Sequence, residues 1–293
     1  MKRFWSEVAI AEADGGWSVR LDDRPLRTPA RATLVVPRLA LAEAIAEEWR
    51  ACGADIDPRA MPLTGLANAA IDHIAPRPDV FRTDLARYAE GDLLCYRADH
   101  PPKLVAAQAA EWDSLLVWAR RRFDVDFVVA TGIMHVPQSP ASIAALGAAL
   151  KPATPFELAA LSPIITIGGS LIIALALFEQ AIEPDTAWDA VTVDDRWQLD
   201  QWGADEEALA ALANRRTDFA AAARAIRRAT TSSVSVPRAR SRRSSSGIEG
   251  GRMNTRTMSG STCFNCWVPC QSMSRSTSRP DSIAFITSRF RVP

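Results

Sequence analysis

One stretch near residue 200 gathers the side chains best suited to chemistry or to binding a partner. Residues 193–207 (VDDRWQLDQWGADEE) contain two tryptophans, two glutamines and six carboxylates. Asp194, Asp195 or Asp200 could serve as a general acid or base if one of them lay in a closed pocket with a shifted pKa. The same residues could instead form an acidic binding surface with aromatic anchors. They could also be the solvated face of a helix whose tryptophans are in the core.

Helical spacing sorts the side chains of this stretch. Asp194 and Gln198 share one face, because residues four apart are neighbours on a helix. Trp197 and Trp202 are five apart, so they point about 140° away from each other. We therefore expect one tryptophan in the core and the other in a second interface or a groove. Gly203 is expected to end the helix, since glycine adopts the left-handed C-terminal conformation at little cost.

Histidines, cysteines and glycines give no second candidate for chemistry. His73, His100 and His135 are scattered and lack HExxH or any other paired spacing. Residues 263–270 hold three cysteines at a zinc-like spacing, but a structural zinc site usually takes four ligands. The sequence has no dinucleotide, P-loop or nucleophile-elbow glycine pattern. We expect no metal site, no cofactor and no small-molecule substrate.

The charge of the chain is zero overall but unevenly placed. Residues 231–293 hold ten arginines and two acids, so they carry +8 and residues 1–230 carry −8. An acidic folded part is a poor candidate for nucleic-acid binding. The few cysteines before the tail, Cys52 and Cys95, fit a reducing compartment. The N-terminus reads as neither a signal nor a transit peptide, so we expect a bacterial cytoplasmic protein.

The pattern of apolar residues predicts an α+β fold. Glu7–Ala13 and Trp17–Leu21 flank a Gly-Gly turn and predict a hairpin, with a further strand at 33–36. From residue 38 onwards the period is helical. The predicted helices are 38–51, 62–75, 79–90, 101–123, 139–150, 155–160, 163–178, 184–202 and 205–228, with one short strand at 126–130. We predict a small β-rich N-terminal domain (residues 1–37 plus nearby segments) and a larger all-helical domain (38–229).

One apolar stretch is close to the length of a membrane span. Leu161–Phe178 has about the required length, which leaves a membrane-anchored protein as an alternative. However, it contains Pro163 and a Gly-Gly-Ser break at 168–170. A helix that is apolar all round can also be the central helix of a bundle. We therefore predict buried core and no membrane insertion.

The last part of the chain changes character after about Ala229. Serine and arginine dominate residues 230–293, and the hydrophobic period is lost. Such a composition predicts a disordered basic arm, because it cannot bury enough apolar surface to offset the ordering entropy. The abrupt change is equally explained by translation in an altered reading frame, which would make the tail foreign to the rest of the protein.

Short motifs in a fixed order give the chain a family resemblance. They are Arg3-Phe4-Trp5, LDDRPLRTP at 21–29, Glu48-Trp49, IDP at 56–58, MPLT at 61–64, Asn68, Asp72, RYAE at 87–90, DLLCYR at 92–97, Gln108, Trp112-Asp113 and GIM at 132–134. Gln198, Asp200, Trp202 and Gly203 then resemble a Gln-x-Glu-x-Trp-Gly signature, with Asp200 where glutamate is usual. Residues 1–230 as a whole resemble the ATP-twelve family of mitochondria and alpha-proteobacteria. These proteins are assembly chaperones for the alpha subunit of F-type ATP synthase.

The resemblance implies a chaperone and not an enzyme. It implies binding to the unassembled alpha subunit, protection of the surface destined for the beta subunit, and release as the ring assembles. The residues it assigns to the partner-binding surface are Asp194, Gln198, Asp200, Trp202 and Gly203. Those expected to support that surface are Trp49, Asn68, Asp72, Glu90, Asp92 and Trp112, with Trp49 packing between the β-rich and helical parts.

Overall fold

The computed structural model describes residues 2–132, 134–203 and 205–230. The three tail cysteines and the whole basic tail, for which we predicted a disordered arm or an altered reading frame, lie outside these residues. Within the described residues the fold is α+β, with a small N-terminal sheet and a larger helical region. This confirms the predicted fold class.

The N-terminal sheet is built around the predicted hairpin. Strands β1 (Val8–Ala13) and β2 (Gly16–Leu21) are antiparallel, in a register that runs from Val8 opposite Leu21 to Ala13 opposite Gly16. Two short strands, β3 (Arg24–Pro25) and β4 (Val35–Val36), also pair with β2. Gly16 has φ +150°, and a Cβ there would lie 2.2 Å from the carbonyl oxygen of Val36. Glycine is required because the backbone of β4 approaches so closely.

Two more strands and ten α-helices, besides short 3₁₀ and π-helical turns, follow the sheet within the described residues. The strands are β5 (Tyr96–Arg97) and β6 (Ala130–Thr131), which pair in parallel. The helices are α1 (Leu39–Ala51), α2 (Pro62–Ala69), α3 (Pro78–Ala86), α4 (Pro102–Phe123), α5 (Pro140–Ala149), α6 (Pro155–Gly168), α7 (Leu171–Phe178), α8 (Pro184–Val191), α9 (Val193–Trp202) and α10 (Glu206–Ala229). Six of these helices begin at a proline, whose fixed φ and missing N–H suit the first helical position.

Three predicted boundaries were wrong, each for a local reason. Helix α6 continues through Pro163, where we expected a new helix, because the residues on both sides of the proline are held in the core. The predicted helix 184–202 is two helices that meet at Thr192, whose hydroxyl donates to the Trp188 carbonyl over 2.8 Å. The predicted strand 126–130 is reduced to β6, because the Gln138 side chain bonds both backbone groups of Val128.

The core lies around α6 and α7. All residues of α7 from Leu171 to Leu177 are buried, and the second half of α10 packs its apolar face on α6. Gly169, with φ +62°, ends α6 and confirms the predicted break. Leu161–Phe178 is thus mostly buried core, as predicted, but it is divided between α6 and α7, where we predicted one helix at 163–178. Among the described residues, every helix is too short or too polar to span a bilayer.

Candidate partner-binding surface

The first turn of α9 is fixed to α4 by a buried amide. The Oδ1 atom of Asp194 accepts a hydrogen bond from Nε2 of Gln108 over 2.7 Å. The Oε1 atom of Gln108 accepts in turn from the backbone N–H of Ala98 over 2.8 Å. Gln108 is buried, so each of its bonds replaces water that it cannot reach. Asp194 therefore orients α9, and its bonded carboxylate oxygen faces the body of the protein.

Polar contacts also hold the next two residues of α9. Asp195 pairs with Arg215 of α10 over 3.0 Å. Arg196 donates to the backbone carbonyl of Asp189 over 2.8 Å and approaches Glu111 at 3.4 Å. Val193 is the one buried residue of α9. Helix α9 is thus fastened at its first turn, largely by hydrogen bonds and ion pairs.

The last turn of α9 extends into solvent. Gln198 and Asp200 are exposed, and the Trp202 side chain is 79% exposed. Trp197 is only half-buried. Our expectation that one of these tryptophans lies in the core is therefore wrong. The physical reason is that α9 lacks an apolar stripe and attaches through polar groups, so no core forms beneath it.

Gly203 ends α9, as predicted, but its backbone combines positive φ with extended ψ and does not adopt the expected left-handed helical conformation. Its φ is +87° and its ψ is 164°, and its N–H donates to the Leu199 carbonyl over 3.0 Å. A non-glycine residue is strained at positive φ and extended ψ. The chain can consequently leave α9 at Trp202 and enter α10 after a short link.

Three of the expected supporting residues are bonded inside the body. Asp72 accepts from the Thr28 hydroxyl over 2.7 Å and from the Ala30 N–H over 3.0 Å. The fully buried Trp112 donates through Nε1 to the Ala190 carbonyl over 2.7 Å. Trp49 is 5.0 Å from the Trp5 ring between centroids, and its Nε1 donates to the Thr64 hydroxyl over 3.2 Å.

Asp92 is a fully buried carboxylate that joins two segments. It accepts from the N–H of Leu94 over 3.1 Å and from that of Ile172, at the start of α7, over 3.0 Å. Burial raises the pKa of Asp92 to about 6, although these hydrogen bonds oppose the shift. Its role in the structure is to connect the chain before β5 to α7.

The other two expected supporting residues stand apart from this network. Glu90 is exposed, and Asn68 is half-buried with a side-chain oxygen that has no partner among the described residues. Gln198, Asp200 and Trp202 are thus exposed in the second half of α9, and Gly203 follows directly after it. The supporting residues lie elsewhere in the fold.

Gln108 is the site residue that reasoning from the sequence left without a role. It occurs on the same face of α4 as Trp112, Leu115 and Ala119, all of which are buried. A polar residue in an otherwise buried stripe of a helix requires a hydrogen-bond partner. That pattern could have identified Gln108 as an anchor, although the sequence could not have named Asp194 as its partner.

Enzymatic alternatives find little support in the geometry. Two open grooves, each of about 400 Å³, run along the surface of α4. None of the α9 carboxylates lines either groove. His135 bonds the Tyr96 hydroxyl at 2.8 Å and His100 contacts Asp99 at 2.6 Å, which are pairs near the surface. Among the described residues, no group of three or more metal-ligating side chains converges.

Comparison with known proteins identifies the family. Residues 2–120 match the family model of the ATP12 chaperone protein. The crystal structure of Atp12 from Paracoccus denitrificans is 43% identical, with a TM-score of 0.74, and the match covers 78% of this chain and 98% of that chain. This chain belongs to the ATP12 chaperone family.

Other ATP12-like proteins agree with this assignment. A mutant of the Paracoccus protein, in which one aspartate is replaced by lysine, is 42% identical with the same coverage and TM-score. The Atu1473 protein of Agrobacterium tumefaciens is 40% identical with a TM-score of 0.75, covering 78% of this chain and 86% of that one. The mitochondrial protein atp12 of Schizosaccharomyces pombe is 24% identical over 219 residues, which are 71% of this chain and 75% of that protein.

Membership of the ATP12 family confirms the resemblance seen in the sequence and supports a role in ATP synthase assembly. The match to the family model ends at residue 120, before α9 begins. The family model therefore assigns no role to the α9 residues.

Proposed function

We propose that this protein is an assembly chaperone that binds the unassembled alpha subunit of F-type ATP synthase and prevents its aggregation before it pairs with beta. Family membership supports the chaperone role. The observation that carries the choice of binding surface is Trp202, 79% exposed at the end of a helix that is anchored only at its other end. Tryptophan is among the residues that most often dominate the binding energy of an interface.

The physics of assembly explains why such a chaperone is needed. A subunit that later becomes part of a ring exposes an apolar interface patch while it is alone, and patches of this kind cause self-association. A binder needs a few anchors that fill pockets in that patch, surrounded by polar groups at the rim. Trp202 has the chemistry of such an anchor, and Gln198 and Asp200 that of the rim.

Each residue of the surface has a distinct role in this proposal. Trp202 contacts the alpha subunit, and its removal costs about 2 kcal/mol or more of binding energy. Gln198, four residues earlier on the same helix face, binds polar groups beside it, and Asp200 binds polar groups on the other side of the helix. Asp194 acts indirectly, because its bond to Gln108 sets the position of α9. Gly203 acts through the backbone, by redirecting the chain directly after the anchor.

Release of the alpha subunit requires no nucleotide in this mechanism. If beta forms a better interface with the same surface, it displaces the chaperone by mass action. Every 1.4 kcal/mol of advantage for beta shifts the competition tenfold. A chaperone of moderate affinity therefore protects the subunit and still releases it.

We also propose that the protein works in the bacterial cytoplasm. Cys52 and Cys95 are free thiols, which fits a reducing compartment. Fractionation of cells into cytoplasmic, periplasmic and membrane pools tests this point, and recovery mainly outside the cytoplasm would contradict it.

Complex formation with purified alpha subunit tests the binding surface. Wild-type protein is expected to co-elute with alpha in size-exclusion chromatography without nucleotide, and Trp202→Ala is expected to lose most of the complex. Phe4→Ala is the matched control, since Phe4 is also an exposed aromatic residue, 63% exposed, but lies in the N-terminal segment. Equal loss in both variants, or in neither, would contradict the assignment to α9.

A further inference from the structure

The first half of α10 has little core beneath it, because Leu212 is its one apolar residue that is partly buried against the core. None of the residues 206–218 is buried, whereas Phe219, Ala222 and Ile226 in the second half are fully buried. Leu209, in the first turn, is 44% exposed. The polypeptide therefore presents an apolar residue on each side of the link at Gly203, Trp202 before it and Leu209 after it.

Composition explains how this part of α10 stays helical with little packing. Residues 206–214 (EEALAALAN) are mostly alanine, leucine and glutamate, which have the highest helix propensities. The Asp205 side chain accepts from the N–H of Ala208 and caps the helix. Glu206 and Glu207 suit the positive end of the helix dipole. Leu209 thus remains available for contacts outside the protein.

The charge around these two apolar residues has one sign. Residues 197–214 contain Asp200, Asp205, Glu206 and Glu207 and neither lysine nor arginine. None of these four carboxylates forms an ion pair with another described residue. The arginines that flank this segment in the sequence, 196, 215 and 216, pair instead with Glu111, Asp195 and Asp185. Residues 197–214 therefore carry four negative charges that no ion pair compensates.

We propose that residues 197–203 and 205–214 form one docking element, the α9–α10 arm, which inserts into an apolar cleft bordered by arginine or lysine on the alpha subunit. The proposal rests on the proposed function and extends it to α10 and to the chemistry of the contact. Trp202 and Leu209 fill the cleft, and the four carboxylates face its basic border. A second copy of this chain is the wrong occupant, because two acidic arms repel each other.

If the charges of the two surfaces are complementary, the rates of association and dissociation should depend on different residues of the arm. Opposite charges speed the encounter of two proteins, and this acceleration falls as salt screens the field, over about 10 Å at 0.1 M. Apolar anchors act mainly after the encounter, by slowing dissociation. The carboxylates of the arm should therefore control the association rate, and Leu209 the dissociation rate.

Binding kinetics of the full chain with purified alpha subunit, measured from 25 to 300 mM salt, test the arm. The double variant Glu206→Gln/Glu207→Gln is expected to associate roughly fivefold more slowly at low salt, with a flatter salt dependence. Leu209→Gln, which keeps helix propensity and size, is expected to dissociate about tenfold faster. The matched control is Glu43→Gln/Glu47→Gln, an exposed pair of carboxylates on α1.

The outcomes separate the two proposals. If the arm variants bind like the control pair, the proposed role of the α9–α10 arm is wrong, while the proposal that the protein binds alpha stands. Failure of the wild-type chain to bind alpha at any salt concentration would overturn the proposed function, and the arm with it. Circular dichroism of each variant checks that α10 remains helical. A Leu209→Ala variant repeats the dissociation test if the glutamine variant loses helix.

Discussion

The side-chain amide of Gln108 donates to the carboxylate of Asp194 over 2.7 Å, and this bond is the shorter of two polar side-chain contacts that join α4 to the first turn of α9. Because Gln108 is buried and α9 has a single buried residue, the orientation of the whole helix depends on a few polar contacts. The exposed surface around Trp202 is therefore positioned by residues that do not belong to it.

Removal of the Gln108 amide should loosen α9 without any contact to the partner being lost. In Gln108→Leu, the Asp194 carboxylate and the Ala98 N–H lose their bonds, at a cost of about 1–3 kcal/mol. We expect lower hydrogen-exchange protection in α9 and weaker binding of the alpha subunit. The control Gln198→Leu should show the reverse pattern, with unchanged stability and weaker binding. Unchanged exchange in α9 of Gln108→Leu would contradict the anchoring role.

Asp200 should matter for function and not for folding. The residue is exposed and its carboxylate forms no hydrogen bond to another described residue, so Asp200→Ala should change the free energy of unfolding by no more than about 0.5 kcal/mol. Suppression of alpha aggregation should nevertheless weaken, and Asp200→Glu should retain it. Glu47→Ala on α1 is the control for loss of one surface charge. A large loss of stability in Asp200→Ala would show that the residue is structural.

Gly203→Ala should disturb the link between α9 and α10. Alanine is strained at φ +87° and ψ 164°, by about 1–3 kcal/mol, although the space around Gly203 is open. The expected relief is a change of backbone conformation that moves Trp202, so binding of alpha should fall. Gly53→Ala is the control, because its surroundings are equally open and its φ is not positive. Equal binding by the two variants would argue against a role for the link.

Asp92 should make the protein more stable in mild acid. Its folded pKa of about 6 lies above the unfolded value of 3.8, because burial disfavours the charged form. The native state therefore holds this proton more tightly, and stability falls as the pH rises from about 4 to about 6, by about 2–3 kcal/mol. In the Asp92→Asn variant this position has no titratable side chain, so this contribution to the pH dependence is removed.

Denaturant unfolding at pH 5 and pH 7 tests the Asp92 prediction. At each pH the unfolding free energy of Asp92→Asn is subtracted from that of the wild type. This difference should be larger at pH 5 than at pH 7. Comparison of the two proteins cancels the contributions of the other carboxylates. A difference that is the same at both pH values, or larger at pH 7, would show that the burial of Asp92 does not dominate its titration.

The fold was predictable from the sequence where local chemistry decides it. The Gly-Gly turn predicted the hairpin, and proline at helix starts predicted several boundaries. Pro163 and Thr192 were misread, because the first is kept inside a helix by tertiary packing and the second ends a helix through its own hydroxyl. Neither effect changes the hydrophobic periodicity from which the helices were predicted.

The candidate surface was predictable in its residues but not in its geometry. The family resemblance indicated Gln198, Asp200, Trp202 and Gly203, and the structure shows that the first three are exposed, while their role in binding stays a prediction. Spacing alone predicted a core position for Trp197 or Trp202, because it cannot show whether a neighbouring helix lies beneath. The exposure of Leu209 was equally hidden, since alanine-rich helices look the same in a core and in solvent.

The most direct test of the central claim is the aggregation of purified alpha subunit, followed by light scattering with and without an equal concentration of this protein and with no nucleotide. The account predicts suppression of scattering by wild-type protein, recovery of a complex of the two proteins, and marked loss of suppression in Trp202→Ala but not in Phe4→Ala. Aggregation that proceeds unchanged beside the correctly folded wild-type protein would contradict the account.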